Sequence, residues 1–122
     1  MPPDPKRGEI WRVDLEPVRG AEIRKTRPAI VVSSNAVGKL PLRIVVPFTE
    51  WKDRYQQADW MVKVEVSKEN GLSKTSAADA FQTRSLDTGR FTEKMGVVSD
   101  ISINEVIAAI AHAIEFNPTL SD

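Results

Sequence analysis

The chain has 122 residues and no cysteine, which makes it the size of one domain and leaves no disulfide, thiolate nucleophile or cysteine metal site. Seventeen basic residues balance seventeen acidic ones, and the single histidine, His112, excludes any mechanism that needs two imidazoles. The balance hides an asymmetry: residues 1–63 carry 12 Lys/Arg against 8 Asp/Glu, and residues 64–122 carry 5 against 9, which predicts one basic face.

No apolar run approaches the ~20 residues that span a bilayer. Met1-Pro2-Pro3-Asp4-Pro5 lacks the form of a signal peptide, so a soluble, cytoplasmic protein without a membrane partner is expected. Residues 1–7, proline-rich and charged, predict a loose arm ahead of one domain over 8–117, with 118–122 as a short tail.

In chain order, Glu9-Ile10-Trp11-Arg12-Val13-Asp14-Leu15 alternates like a half-exposed strand with Trp11, Val13 and Leu15 inward. Glu16 to Gly20 breaks it and opens a basic loop that runs to Arg27. Pro28 fixes its own φ and pushes Arg27 toward an extended backbone, so Arg27 sits where loop hands over to strand. The run after it predicts a second strand over 28–34, apolar on both faces and hence buried. Ser33-Ser34-Asn35, Gly38 and Pro41 mark a connection with room for a turn of helix. Leu42 to Phe48 reads as a third strand, with Pro47 marking its end or an edge and Thr49 just beyond.

Glu50 to Trp60 reads as a loop, and Met61 to Val66 as a strand with Val62, Val64 and Val66 on one face. Asn70-Gly71 carries the strongest hairpin signal in the chain. A further strand is expected between Thr75 and Leu86, a turn at Asp87-Thr88-Gly89, and a last pairing segment from Arg90 to Val98. Ser102-Ile103-Asn104-Glu105 reads as a capping box that opens a helix, with Val106, Ile107, Ile110, Ala113 and Ile114 on its apolar face and Asn117-Pro118 as its stop. Short strands and one closing helix predict a mainly β fold, a small antiparallel barrel with a C-terminal α-helix.

The loop 19–27, the turn 47–55 and the segment 79–86 hold the chain's candidate chemistry. Arg19, Arg24, Lys25, Gln82 and Arg84 interleaved with Trp51 suit a single strand of nucleic acid, because cations hold phosphates while rings stack bases. Gln82 and Arg84, two apart on the expected strand, would share a face. Trp51 equally suits packing of its own loop on the barrel. Asp79 and Asp87 stand too far apart in sequence to predict a metal site, and His112 is expected to be structural.

Gly8 to Leu15, Thr26-Arg27-Pro28-Ala29-Ile30-Val31-Val32, Val45-Val46-Pro47-Phe48-Thr49 and Asp79-Ala80-Phe81-Gln82-Thr83-Arg84-Ser85-Leu86-Asp87 stand in an order that resembles the MazF/PemK toxins of bacterial toxin–antitoxin modules. The resemblance spans about residues 6–116. It implies an SH3-like barrel of the MazF/PemK/CcdB toxin fold, a homodimer, and a sequence-specific endoribonuclease that cleaves single-stranded RNA with no metal or other cofactor. It carries the family's catalytic arginine onto Arg27 and its catalytic threonine onto Thr49. Gly20-Ala21-Glu22 fits the core of the family's first loop, whereas Ile23-Arg24-Lys25 stands where many members have Gln and glycines. The implied partner is a small antitoxin of the MazE/PemI kind whose acidic, disordered tail wraps the basic groove.

The chemistry of RNA cleavage through the 2′-hydroxyl fits these residues. A fixed guanidinium at Arg27 would stabilise charge developing on phosphorus, and the Thr49 hydroxyl can donate to a non-bridging oxygen. Arginine stays protonated near neutrality and makes a poor base. Glu22 is therefore expected to assist deprotonation or to orient Arg27; as a solvated partner of Arg24 or Lys25 it would do neither. Two other readings remain: a gyrase-poisoning toxin of the same fold, which uses a tryptophan at the end of its last helix, and a non-catalytic barrel that binds RNA or peptide. Here the last tryptophan is Trp60 and the helix runs to Phe116-Asn117-Pro118.

Overall fold

A computed structural model describes residues 2–117. Seven strands and one α-helix follow one another as β1 (Glu9–Asp14), β2 (Thr26–Val31), β3 (Leu42–Glu50), β4 (Met61–Val64), β5 (Ser76–Asp79), β6 (Arg84–Asp87), β7 (Phe91–Val97) and α1 (Asp100–Ala113). All the pairings are antiparallel, in the order β4-β5-β3-β2-β1-β7, with β6 also on β3. The mainly β architecture with a closing helix is the one expected. The ladder itself stays open, since β4 and β7 end it without pairing to each other.

β3 is the hub. Its first half pairs with β6 through Leu42–Val45, its second half pairs with β5 through Phe48–Glu50, and its other edge pairs with β2 through Val45–Pro47. Pro47, which has no N–H to give, falls in the gap between the β6 and β5 ladders instead of ending the strand. Thr49 therefore lies inside β3.

The doubly apolar run of β2 serves two cores. Ile30 and Val32 join Ile10, Val46, Phe48, Val62 and Val64 in one, which α1 covers with Ile103, Val106 and Ala109. Ala29 and Val31 join Val13, Leu15, Val45, Leu86 and Phe91 in the other. Alternation along the strand sends neighbours to opposite faces, so a strand between two cores is apolar throughout. β1 lies between the same two cores: Ile10 is buried in the first, and Val13, on the opposite face, in the second, with Trp11 half-buried beside it. Its register against β7 shifts between Ile10 and Trp11 and again between Arg12 and Val13.

Other segments depart from expectation. In the stretch expected as a loose arm, Pro5 is buried and its carbonyl accepts from Arg43 Nε at 2.9 Å, with Asp4 paired to Arg43 at 3.1 Å. Asn70-Gly71 does not make a two-residue hairpin. The Asn70 side chain accepts from Ser67 N and Leu72 N and donates to the Glu65 carbonyl, building a longer connection between β4 and β5 that leaves Val66 half-exposed beyond the strand. The segment 75–86 divides into β5, a 3-10 turn at Ala80–Gln82 and β6. Asp79 and Asp87 cap 3-10 turns by accepting from Phe81 N and Gly89 N. α1 starts earlier than its capping box predicts, because Ser99 is the N-cap and accepts from Ser102 N. It ends at Ala113, where Glu115 takes a φ of 60° and Phe116 N bonds back to Ala111 O at 2.8 Å. Pro118 and the tail 118–122 lie outside the described residues. Among the described residues no helix is long and apolar enough to cross a membrane.

Candidate active site

The β2–β3 pairing decides where the chemistry meets. Ala29 faces Pro47 and Ile30 faces Val46, and there the ladder ends, leaving Arg27 paired to Val13 on β1 and Thr49 to Ala77 on β5 where β2 and β3 part. Arg27 and Thr49 both border one recess of about 190 Å³, whose other walls include Arg12 from β1 and Glu50, Lys74 and Ser76. Phe48, Leu72 and Met95 give it an apolar floor. Arg27 is half-buried, and its side chain donates one long hydrogen bond, Nε to Arg24 O at 3.4 Å. The Thr49 hydroxyl and the Arg12 guanidinium have no hydrogen-bond partner among the described residues. Lys74 pairs with Glu50 at 3.5 Å, so the two arginines are the cations of the recess without a carboxylate of their own.

The loop between β1 and β2 stands beside this recess and is held from outside. Gln82 accepts from Ile23 N at 3.1 Å and donates to Ala21 O at 3.1 Å, while Arg84 Nη1 donates to Leu15 O at 3.1 Å. Gln82 lies in the 3-10 turn and Arg84 in β6, so they do not form the two-apart strand pair expected of them. They converge because both reach the same loop. Glu16, which sequence reading passed over as a strand breaker, ties the loop's two ends: its carboxylate accepts from Lys25 N at 2.9 Å and lies 3.8 Å from Arg24 Nε. Lys25 adopts a φ of 71° at that point.

Glu22, expected near Arg27, is exposed and does not line the recess. Its carboxylate accepts from Arg19 N at 2.6 Å, and its own N–H bonds to Arg19 O at 3.1 Å, closing a tight turn. No ion pair joins it to Arg24, Lys25 or Arg27 among the described residues. Arg24 donates to Val18 O at 3.3 Å; Arg19 and Arg24 are both exposed. Trp51 is half-buried with its ring edge-on to Tyr55 at 5.8 Å and Lys63 over its face at 5.3 Å, which is the packing arrangement. His112, on α1, bonds Asp59 at 3.1 Å, away from the recess.

Arg12, Glu50 and Lys74 are charged recess residues that sequence reading missed. Arg12 sits in the outward set of an alternating strand and looks like ordinary surface charge. Only the β1–β2 ladder, in which Arg12 faces Pro28 and Val13 faces Arg27, brings it to the site. No group of three or more His, Asp or Glu side chains able to hold a metal ion occurs among the described residues.

The family model of the PemK-like, MazF-like toxins of type II toxin–antitoxin systems matches residues 6–114. The chain is 32% identical over 111 residues to endoribonuclease MazF9 of Mycobacterium tuberculosis, covering 86% of this chain and 92% of the relative. It is 30% identical over 105 residues to endoribonuclease MazF of Staphylococcus saprophyticus, with 86% and 87% covered. Its fold is similar to the crystal structure of MazF from Deinococcus radiodurans, with a TM-score of 0.76 at 24% identity over 92% of this chain and 97% of that one. It is also similar to a mycobacterial endoribonuclease solved in complex with its cognate antitoxin, with a TM-score of 0.74 at 21% identity over 93% and 98%. With a model match over most of its length and relatives that align nearly end to end, the chain belongs to the PemK-like, MazF-like toxins of type II toxin–antitoxin systems.

Proposed function

We propose that this toxin is an endoribonuclease that cuts single-stranded RNA at preferred sequences without a metal ion. The observation that carries the reading is the meeting of Arg27 and an unbonded Thr49 hydroxyl in one basic recess. In the reaction the 2′-oxygen bonds to phosphorus, the bond to the 5′-oxygen breaks, the departing 5′-oxygen takes up a proton from solvent, and the products are a 2′,3′-cyclic phosphate and a 5′-hydroxyl. Arg27 stabilises the charge that grows on the non-bridging oxygens, and Thr49 donates a hydrogen bond to one of them. The attacking hydroxyl gives up its proton to a base, and arginine does not serve near neutrality. Glu50, paired with Lys74 at 3.5 Å, is the carboxylate that borders the recess, so it takes that role ahead of Glu22, which lies off the recess in its own turn. Gln82 and Arg84 set the loop that presents Arg19, Arg24 and Lys25 to the RNA. The toxin acts as a homodimer, and its antitoxin blocks it with an acidic segment laid over the recess.

Purified protein in excess EDTA is expected to cleave a single-stranded RNA pool and leave 5′-hydroxyl ends. Arg27→Ala should lower the rate by at least about a hundredfold, the scale of losing one preorganised donor to developing charge. Glu50→Gln should lower kcat by about a hundredfold, the scale of losing a general base, and Glu22→Gln should leave it within about twofold. Cleavage that chelator abolishes, or a folded Arg27→Ala protein that cuts normally, would overturn the reading. Inhibition of DNA gyrase with no RNA cut would favour the gyrase-poisoning alternative.

A further inference from the structure

We infer that Arg12 is an RNA-contacting residue that grips the phosphate next to the scissile one; the inference rests on the nuclease reading above. Three observations carry it. Arg12 lines the same recess as Arg27 and Thr49. It is half-buried, yet its guanidinium makes no hydrogen bond and no ion pair among the described residues. The nearby carboxylates do not neutralise it: Glu50 is taken by Lys74 at 3.5 Å, and Glu93, opposite Arg12 in the β1–β7 ladder, forms no ion pair with it.

A half-sheltered guanidinium keeps five donors in a fixed fork that matches a phosphate's oxygens, and leaving them unmet in a recess has no structural return. The ladder also sets the order of the two cations. Pro28 faces Arg12 across β1–β2, and Val13 faces Arg27, so the arginines leave neighbouring strands one ladder step apart and on opposite sides of the pleat, and both border the recess that opens where β2 and β3 part. A polynucleotide offers charges at that kind of repeat, one phosphate after another along the strand. Arg27, which borders the recess together with Thr49, takes the reacting phosphate, and Arg12 takes its neighbour. Its task is to fix the strand's position, with the bond-making left to Arg27 and Thr49.

The test is binding of an oligoribonucleotide made uncleavable by a 2′-methoxy group at the scissile position, followed by fluorescence anisotropy. Arg12→Ala should raise Kd about tenfold, as expected for losing a hydrogen bond to a charged group. The dependence of log K on log salt should become shallower by about 0.7, the loss of one phosphate contact on a single strand. Arg12→Lys, which keeps the charge, should recover part of the affinity and the salt slope. Replacing one flanking phosphate by a neutral methylphosphonate, 5′ or 3′ of the scissile one, should cost the unsubstituted protein a similar factor and cost Arg12→Ala nothing further. On cleavable RNA, Arg12→Ala should raise KM and leave kcat within about twofold. The inference is overturned if Arg12→Ala binds and salts out like the unsubstituted protein, or if both neutral linkages weaken the two proteins equally. Either result leaves the loss of cleavage in Arg27→Ala intact, so the two readings fail separately. Absence of RNA binding by the unsubstituted protein would sink both.

Discussion

At the scale of single residues, the site mixes what sequence displays with what only space reveals. Arg27 was legible because Pro28 restricts its backbone and places it at a strand's mouth. Gln82 and Arg84 were visible as residue types, but their partners Ala21, Ile23 and Leu15 are more than fifty residues away, so no local rule announces the contact. Glu9 is a similar case. Its carboxylate accepts from Lys6 N at 2.8 Å and Trp11 Nε1 at 2.9 Å and pairs with Lys94 at 2.9 Å. Burial pushes its pKa up, but these bonds and the Lys94 charge outweigh burial and hold it below the usual carboxylate range. A carboxyl lowered in the folded state adds stability that is complete above the unfolded pKa and is lost as pH falls through the folded one. Glu9→Gln should therefore cost about 1 kcal/mol near neutrality, with the gap to the unsubstituted protein closing in acid. Thermal melts from pH 7 to pH 2 check this.

Among the elements, α1 shows how a correct rule can select the wrong residue. Ser99 and Ser102 stand three apart, and each is followed three residues later by a polar side chain, Ser102 or Glu105. A local motif does not choose between them. The strand before the helix does. β7 runs to Val97 and the Val98 N–H bonds to Gly8 O, which leaves Ser99 extended at φ −70° and ψ 161°, the backbone an N-cap requires. Ser99→Ala should cost about 1 kcal/mol, and Ser102→Ala less than half as much, by denaturant unfolding. The same dependence on partners explains the strand boundaries. β3 was expected to stop near Pro47 and instead continues to Glu50, because β5 takes over as its neighbour where β6 ends.

For the whole molecule, the open ladder is sealed by a close approach of backbones. The turn at 69–71 lies on β7, with Val97 N bonded to Glu69 O at 2.9 Å. A Cβ on Gly71 would stand 2.1 Å from Met95 O, and one on Gly96 would stand 2.2 Å from Glu69 O. Gly71 also has a φ of 70°. Asn70-Gly71 was legible as a turn, but which strand it would rest on was not, because the contact crosses from the β4–β5 connection to β7. Gly71→Ala and Gly96→Ala should each cost more than about 2 kcal/mol. Gly38→Ala, with a φ of 64° and nothing within 4 Å of its new Cβ, should cost about 1 kcal/mol. Chemical denaturation of the three variants separates the steric part from the backbone part. Leu72 and Met95 beside this seam also floor the recess, so the two seam variants should lose RNA binding along with stability.

The hold on the first loop has a consequence for how such a protein diversifies. Gln82 and Arg84 grasp the loop by main-chain atoms alone, at Leu15 O, Ala21 O and Ile23 N. Their grip is thus indifferent to the side chains the loop carries. On the proposed nuclease reading, exchanging Arg19, whose exposed side chain takes no part in that hold, would change what is offered to a nucleotide while the frame keeps its shape, so new target preferences would arise at the loop's tip with Arg27 and Thr49 undisturbed.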